Sequence, residues 1–251
     1  PRRSGWGASA PATASGASGL VPMRWDCSTL LPMPPSLPSV LSVTDTAGGA
    51  RGGPGPARRG AGGPPARRSA VRLFAGWEHD PGLLQRSDFA EQGYARGVPM
   101  GGELRRAPAR KSPAFVVQAL RDPDSANLDR IQIVKGWIDA GGAMHERVFD
   151  IAVSGARTIG PDGRARTPVG NTVDTANARY ANTIGAPELA AFWRDPDFDP
   201  AQHAFYYARV LEIPTPRWTA FDAKRFGVTM PPEVTMELQE RAYTSPVWYT
   251  P

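Results

Sequence analysis

The sequence predicts a mainly β domain over residues 71–251: an antiparallel sheet or β-sandwich with one or two short helices. Three observations predict it. Short apolar or alternating runs recur from Val71 onward, turn chemistry rich in Gly, Pro and Asp separates them, and helical signals are confined to two brief stretches. With 27 Gly and 27 Pro, the chain is also rich in residues that interrupt helices.

Residues 71–77 (VRLFAGW) read as a strand closed by Gly and Trp, and residues 114–120 (AFVVQAL) are continuously apolar, as in a buried strand. Arg121-Asp122-Pro123-Asp124 then turns the chain. Residues 130–137 (RIQIVKGW) alternate Ile131 and Ile133 against Arg130 and Gln132, the pattern of a half-buried strand. Asp139-Ala140-Gly141-Gly142 reverses direction into residues 147–153, which carry Phe149, Ile151 and Val153 on one face, so this pair reads as a hairpin. Residues 203–213 (HAFYYARVLEI) are apolar on both faces, with Phe205, Tyr207, Leu211 and Ile213 on one and Tyr206 and Val210 on the other. That strand is expected to be central, with 130–137, 147–153 and 244–249 as its partners. Pro246 places 244–249 at an edge or a strand start, because Pro cannot donate to a ladder. The two helices are expected at 187–194 (PELAAFWR), with Pro and Glu in its first turn and Arg at its end, and at 218–226, with Phe221 near Arg225 at i,i+4 spacing. The Gly/Pro-rich stretch 154–169 is expected to be a solvated, mobile loop.

Residues 1–70 have a different composition. They lack Lys, Glu, Asn, Gln, His, Ile, Phe and Tyr, and hold eight Arg against two Asp, a net charge of +6. The whole chain carries +5, which leaves −1 for residues 71–251. The basic character therefore belongs to the first segment and does not mark the folded part as a nucleic-acid binder. A nucleic-acid arm would interleave Lys and aromatic residues with its Arg. The segment instead reads as a disordered linker, or as GC-rich DNA translated out of frame, which over-produces Gly, Pro, Ala and Arg. Cys27 stands alone, which excludes an internal disulfide and a Cys-based zinc site. No apolar run reaches the ~20 residues of a membrane span. The opening Pro1-Arg2-Arg3 shows no signal-peptide pattern, so the chain reads as a piece of a longer protein whose compartment is left open.

Motifs that carry chemistry are scarce. His79, His145 and His203 are scattered, and the sequence holds no H-E-x-x-H, G-x-S-x-G, Walker A or G-x-G-x-x-G pattern. Asp195-Pro196-Asp197-Phe198-Asp199-Pro200 starts like a calcium loop, but Pro200 stands where Gly is needed and Tyr206 where Glu is needed. These Asp-Pro steps read instead as turns that cap the end of the helix before them, and Asp122-Pro123-Asp124 reads the same way. The densest polar and aromatic cluster is Arg217, Trp218, Asp222, Lys224 and Arg225. Arg217, Trp218, Asp222 and Arg225 are the candidate contacts to an anionic substrate or another domain; the competing reading is a surface ion-pair network around a short helix. No catalytic residue, cofactor site or metal site is expected in this chain.

The runs ALRDPDSANLDRIQIVKGWID (119–139), PVGNTVD (168–174), IGAPELAAFWRDPDFDP (184–200), FYYARVLEIPTPRW (205–218), DAKRFG (222–227) and ERAYTSPVWYTP (240–251) resemble a bacterial family, domain of unknown function 3604 (DUF3604). GWEHDPGLLQRSDFAEQGYARGVPMGG (76–102) resembles it too, so the likeness spans about residues 71–251. Members of that family are longer, and their upstream part is similar to a metal-dependent hydrolase of the polymerase-and-histidinol-phosphatase kind. The resemblance implies that this chain holds the C-terminal accessory module of such a protein, with the upstream catalytic domain as its partner and the divalent metal held there. The alternative is a free-standing β-sandwich that binds carbohydrate or another partner through Trp137, Trp193, Trp218 and Trp248. Self-association is expected if the sheet leaves an apolar patch uncovered.

Overall fold

The computed structural model describes residues 69–251, so the expectation for the first segment lies outside it apart from Ser69 and Ala70. In chain order the elements are β1 (Ala70–Gly76), a 3-10 helix (Pro81–Gln85), α1 (Phe89–Arg96), β2 (Val98–Pro99), β3 (Glu103–Arg105), β4 (Ala114–Leu120), β5 (Leu128–Ile138) and β6 (Met144–Val153). They continue with β7 (Glu188–Arg194), β8 (Ala204–Glu212), β9 (Thr215–Pro216), α2 (Trp218–Phe226), β10 (Glu237–Leu238), β11 (Arg241–Tyr243) and β12 (Val247–Thr250). The result is a β-sandwich. A four-stranded sheet, β2-β1-β4-β7, packs on a larger sheet ordered β3-β12-β8-β5-β6, in which β11 also pairs with β8. Pairing is antiparallel except between β12 and β3.

The core lies between the sheets. Leu73, Phe115 and Val117 of the smaller sheet meet Ile131, Ile133, Tyr206, Val210 and Val247 of the larger one. Each such side chain contributes on the order of 1.5–3 kcal/mol by leaving water. The other face of the smaller sheet is covered by the 3-10 helix and α1, where Leu83 and Phe89 pack on Phe74 and Val116. The opposite face of the larger sheet encloses Gln132 and Val134 but leaves Phe205, Tyr207 and Tyr243 half-buried and Trp248 exposed, and function is sought on that more open face below.

β8 is central, as its two apolar faces predict. β5 runs along one side of it, while β12 and β11 follow one another along the other. Between them Thr244 Oγ1 accepts from the Ala208 amide (2.9 Å) and the Thr244 amide donates to the Ala208 carbonyl (3.0 Å), which carries the pairing across the break. Pro246 sits just before β12, at a strand start. β6 pairs with β5 and not with β8, so its place beside the central strand is corrected by one position.

Three further expectations are corrected. Residues 187–194 do not form a helix. They form β7, paired with β4 from Glu188 to Arg194. Leu, Ala and Glu favour a helix locally, but an apolar strand such as β4 cannot leave one side of its backbone without hydrogen bonds. Pairing gives the segment period two: Leu189, Ala191 and Trp193 turn to the sandwich core, while Phe192 turns to the helical layer. The Asp-Pro turn at 195–200 therefore follows a strand, not a helix. β5 is not half-buried either, because Gln132 and Lys135 are as enclosed as Ile131 and Ile133. The loop 154–169 is exposed at most positions but is pinned at Arg157, whose guanidinium reaches Asp129 (2.6 Å), the Ser154 hydroxyl (3.0 Å) and the Thr167 carbonyl (3.3 Å).

Val210 lies at the middle of the core face of β8. Replacing it with Asp puts an unpaired carboxylate between the sheets and should cost on the order of 4 kcal/mol or more. Urea denaturation of the variant should show no folded baseline, and a wild-type midpoint would contradict the central placing of β8.

Candidate functional site

The open face of the larger sheet is built by alternation. Tyr206, Ala208 and Val210 of β8 point into the core, so Phe205, Tyr207 and Arg209 point out. Register brings other rings alongside: Trp248 of β12 stands opposite Phe205, and Tyr243 of β11 opposite Arg209. Four aromatic rings form a row, with centroid separations of 5.6 Å (Trp248 to Phe205), 6.4 Å (Phe205 to Tyr207) and 6.2 Å (Tyr207 to Tyr243). Phe205 leans across onto Gly136 of β5, where a Cβ would lie 2.3 Å from the ring. Any larger residue there would lift the ring from the sheet. Trp248 is 45% exposed and the other three are half-buried. Burial raises the Tyr207 phenol pKa, reinforced by the nearby Glu146 carboxylate.

Beside this row runs a polar relay across three strands. Arg209 Nε donates to Gln132 Oε1 (2.7 Å), Gln132 Nε2 donates to Asp150 Oδ1 (2.6 Å), and the Ala165 amide donates to Asp150 Oδ2 (2.7 Å). Next to it Asp129, fully buried at a β-bulge, accepts from Arg157 (2.6 Å), Arg130 (2.7 Å) and Gln239 (2.9 Å). Glu212 accepts from the hydroxyls of Ser69 (3.0 Å) and Ser125 (2.7 Å). Donors thus surround these carboxylates, and the arrangement holds shape rather than activating a nucleophile.

The sequence-predicted cluster lies elsewhere, on and beside α2. Arg217 precedes the helix with its guanidinium 5.9 Å from the Trp218 ring, and Trp218 is exposed. Arg225 lies over Phe226 (5.6 Å) and not over Phe221. Among the described residues no ion pair joins Arg217, Asp222, Lys224 or Arg225 to any acid or base, so the cluster is not an ion-pair network. Of the four tryptophans considered for ligand stacking, Trp218 and Trp248 are exposed. Trp137 stacks on His145 (5.2 Å), and Trp193 is half-buried against Phe115 and Phe149. Trp193, Phe149, Pro161 and Pro196 line a cleft of about 320 Å³ between the edges of the two sheets.

The family described as "Protein of unknown function (DUF3604)" matches residues 60–251. The chain belongs to the DUF3604 family. No curated protein and no solved structure matches it. In this DUF3604 chain no group of three or more His, Cys, Asp or Glu residues is placed to hold a metal ion among the described residues. The Asp195–Pro200 run serves the core instead. Asp195 pairs with Lys135 across the sandwich (2.6 Å) and accepts from the Tyr206 hydroxyl (2.7 Å), while Asp197 holds Arg147 at the surface (2.5 Å). Burial, with the Asp195 charge beside it, pushes the Tyr206 phenol far up.

Sequence reasoning missed this buried pair and the Asp129 network. The signal was present in the charges of DRIQIVK, but their partners at 157, 195 and 239 are far away in the chain. It also missed that His79 is buried. His79 is 3% exposed and its Nε2 has no hydrogen-bond partner among the described residues. The ring edge lies over Gly76 and Gly97, where a Cβ would come within 2.8 and 2.4 Å of Nε2. Burial lowers its pKa. The Ala75 carbonyl and Asp80 work against that shift, and Arg96 adds to it.

Two stability predictions follow from these buried groups. Lys135→Met strands the Asp195 carboxylate and should cost about 3–5 kcal/mol. Adding Asp195→Asn, which still accepts from Tyr206, should restore most of it in urea melts; additive losses would show that the pair is not coupled. His79 has a folded-state pKa below its unfolded value of 6.5, so its contribution is fully present above that pH. It is lost as pH falls through the unfolded value towards the folded one, because only the unfolded chain gains the proton there. The urea midpoint should therefore drop between about pH 7.5 and pH 5.5, and drop less in His79→Gln. Equal slopes for the two proteins would assign the pH dependence to other groups.

Proposed function

We propose that residues 69–251 are the accessory module of a larger, metal-dependent hydrolase-type protein, and that the module docks on the upstream catalytic domain through the open face of its larger sheet. The observation that carries this reading is the row Trp248, Phe205, Tyr207 and Tyr243, with Arg209 and the saturated polar relay beside it. Aromatic residues and Arg at the centre, with polar groups already paired around them, are the composition of a protein interface core. Rings seated on a rigid sheet lose little entropy on docking. The family resemblance supplies the partner, since the upstream part of longer members is the hydrolase-like one. The module's role is to shape or cover the active site supplied there; the divalent metal belongs to that domain.

The same row supports a second reading, a glycan platform in a free-standing module, because sugars present C–H faces that stack on aromatic rings. Titration calorimetry separates the two. The catalytic part of a longer family member, added to this chain, should bind, and Tyr207→Ser with Trp248→Ser should weaken binding by at least about tenfold while the variant stays folded at the assay temperature. Undiminished affinity in that double variant would remove the docking role of the face. Binding of soluble polysaccharide that quenches Trp248, without binding of the catalytic part, would favour the glycan reading.

A further inference from the structure

A short surface helix ordinarily buries its large apolar side chains and shows solvent its polar ones. α2 does the reverse. Its buried residues are Thr219 and Ala220, whereas Trp218, Phe221 and Phe226 are 62%, 50% and 66% exposed. Gly227 ends the helix in the left-handed region, and Val228, 48% exposed, begins a largely exposed segment that runs to residue 233. The base of this protrusion is tied down: the Thr219 hydroxyl donates to the Thr235 carbonyl (2.6 Å) and Lys224 Nζ to the Asn177 carbonyl (2.9 Å). The tip itself is apolar, and three cations rim it. Arg217 lies by Trp218 and Arg225 by Phe226, and Lys224, bonded to the Asn177 carbonyl, is the third; the acids of the stretch are the half-buried Asp222 and, at the far end, Glu233.

We propose that this tip inserts into the headgroup region of an anionic phospholipid bilayer. The cations flanking the aromatics match the sign of such a surface. A second copy of the chain would instead bring Arg217, Lys224 and Arg225 against their own counterparts. Adjacent large side chains this exposed describe a convex tip. A rigid protein partner would need a separate recess for each of them, whereas the bilayer interface yields to any shape and favours Trp and Phe at headgroup depth with Lys and Arg just outside. The contact is peripheral, for no described helix is long and apolar enough to cross a membrane. It is also independent of the docking role given to the open sheet face, which uses different strands.

The test is co-sedimentation of the full chain with vesicles of phosphatidylcholine alone and with about one third phosphatidylglycerol. Binding should appear on the anionic vesicles and weaken as salt rises. W218S/F226S should lower the partition coefficient by at least about tenfold without changing the melting temperature, because these side chains are exposed. R217E/R225E should abolish the preference for phosphatidylglycerol. Tryptophan quenching by lipids brominated in the acyl chains should decrease in W218F. The eight Arg of residues 1–70 are present in every variant and cancel in the comparison. Equal binding by wild type and W218S/F226S, or no binding to either vesicle, would overturn the proposal. So would a concentration-dependent dimer, with no vesicle binding, that W218S/F226S abolishes.

Discussion

Everything in the larger sheet is arranged around the burial of β5 on both faces, charged residues included. An eleven-residue strand that encloses Asp129, Gln132 and Lys135 obliges the rest of the chain to supply a partner for each. An unpaired buried charge costs several kcal/mol, comparable with the net stability of a whole domain. The partners of Asp129 and Lys135 come from three separate loops, Arg157 after β6, Asp195 after β7 and Gln239 before β11, while Gln132 is held by Arg209 of β8 and Asp150 of β6. Those loops are therefore held at fixed places.

Such a network fixes the polar part of the sheet through its own hydrogen bonds. Catalytic groups carry unsatisfied capacity, a base near a nucleophile or a donor aimed at empty space. Here Asp129, Asp150 and Asp195 spend theirs on other parts of the same fold. The unspent surface is aromatic, on β8, β11 and β12 and again on α2, and aromatic surface offers stacking and burial rather than bond-breaking. That division agrees with the docking and membrane contacts proposed for the two surfaces.

Bulges set where the two kinds of surface meet. One at Leu128/Arg130 allows Asp129 to be enclosed, and another lets Asp150 stand opposite Gln132 with Ile151 as the extra residue. Without them a strict alternation would continue along both strands, and the relay from Arg209 to Asp150 would not close.

The sequence by itself determined the class of fold, the positions of β1, β4, β5, β6, β8 and α2, and the turns at Asp122 and Asp199, because each shows as periodicity or turn chemistry within a few residues. It also singled out the Arg217–Arg225 region as candidate contacts to an anionic substrate or another domain; the competing ion-pair network does not form among the described residues. Only the tertiary structure decided the rest. Residues 187–194 became a strand because β4 needed a partner, a requirement invisible in PELAAFWR. The eight-residue α1, with Gly93 in its middle, is too weak a helix to announce itself and exists because Phe74 and Val116 need cover. The aromatic row was present as FYY and VWY, yet its exposure depends on which face of β8 meets the second sheet. Local periodicity records that a residue can be buried; which polar groups are buried with it is settled by partners tens of residues away in the chain.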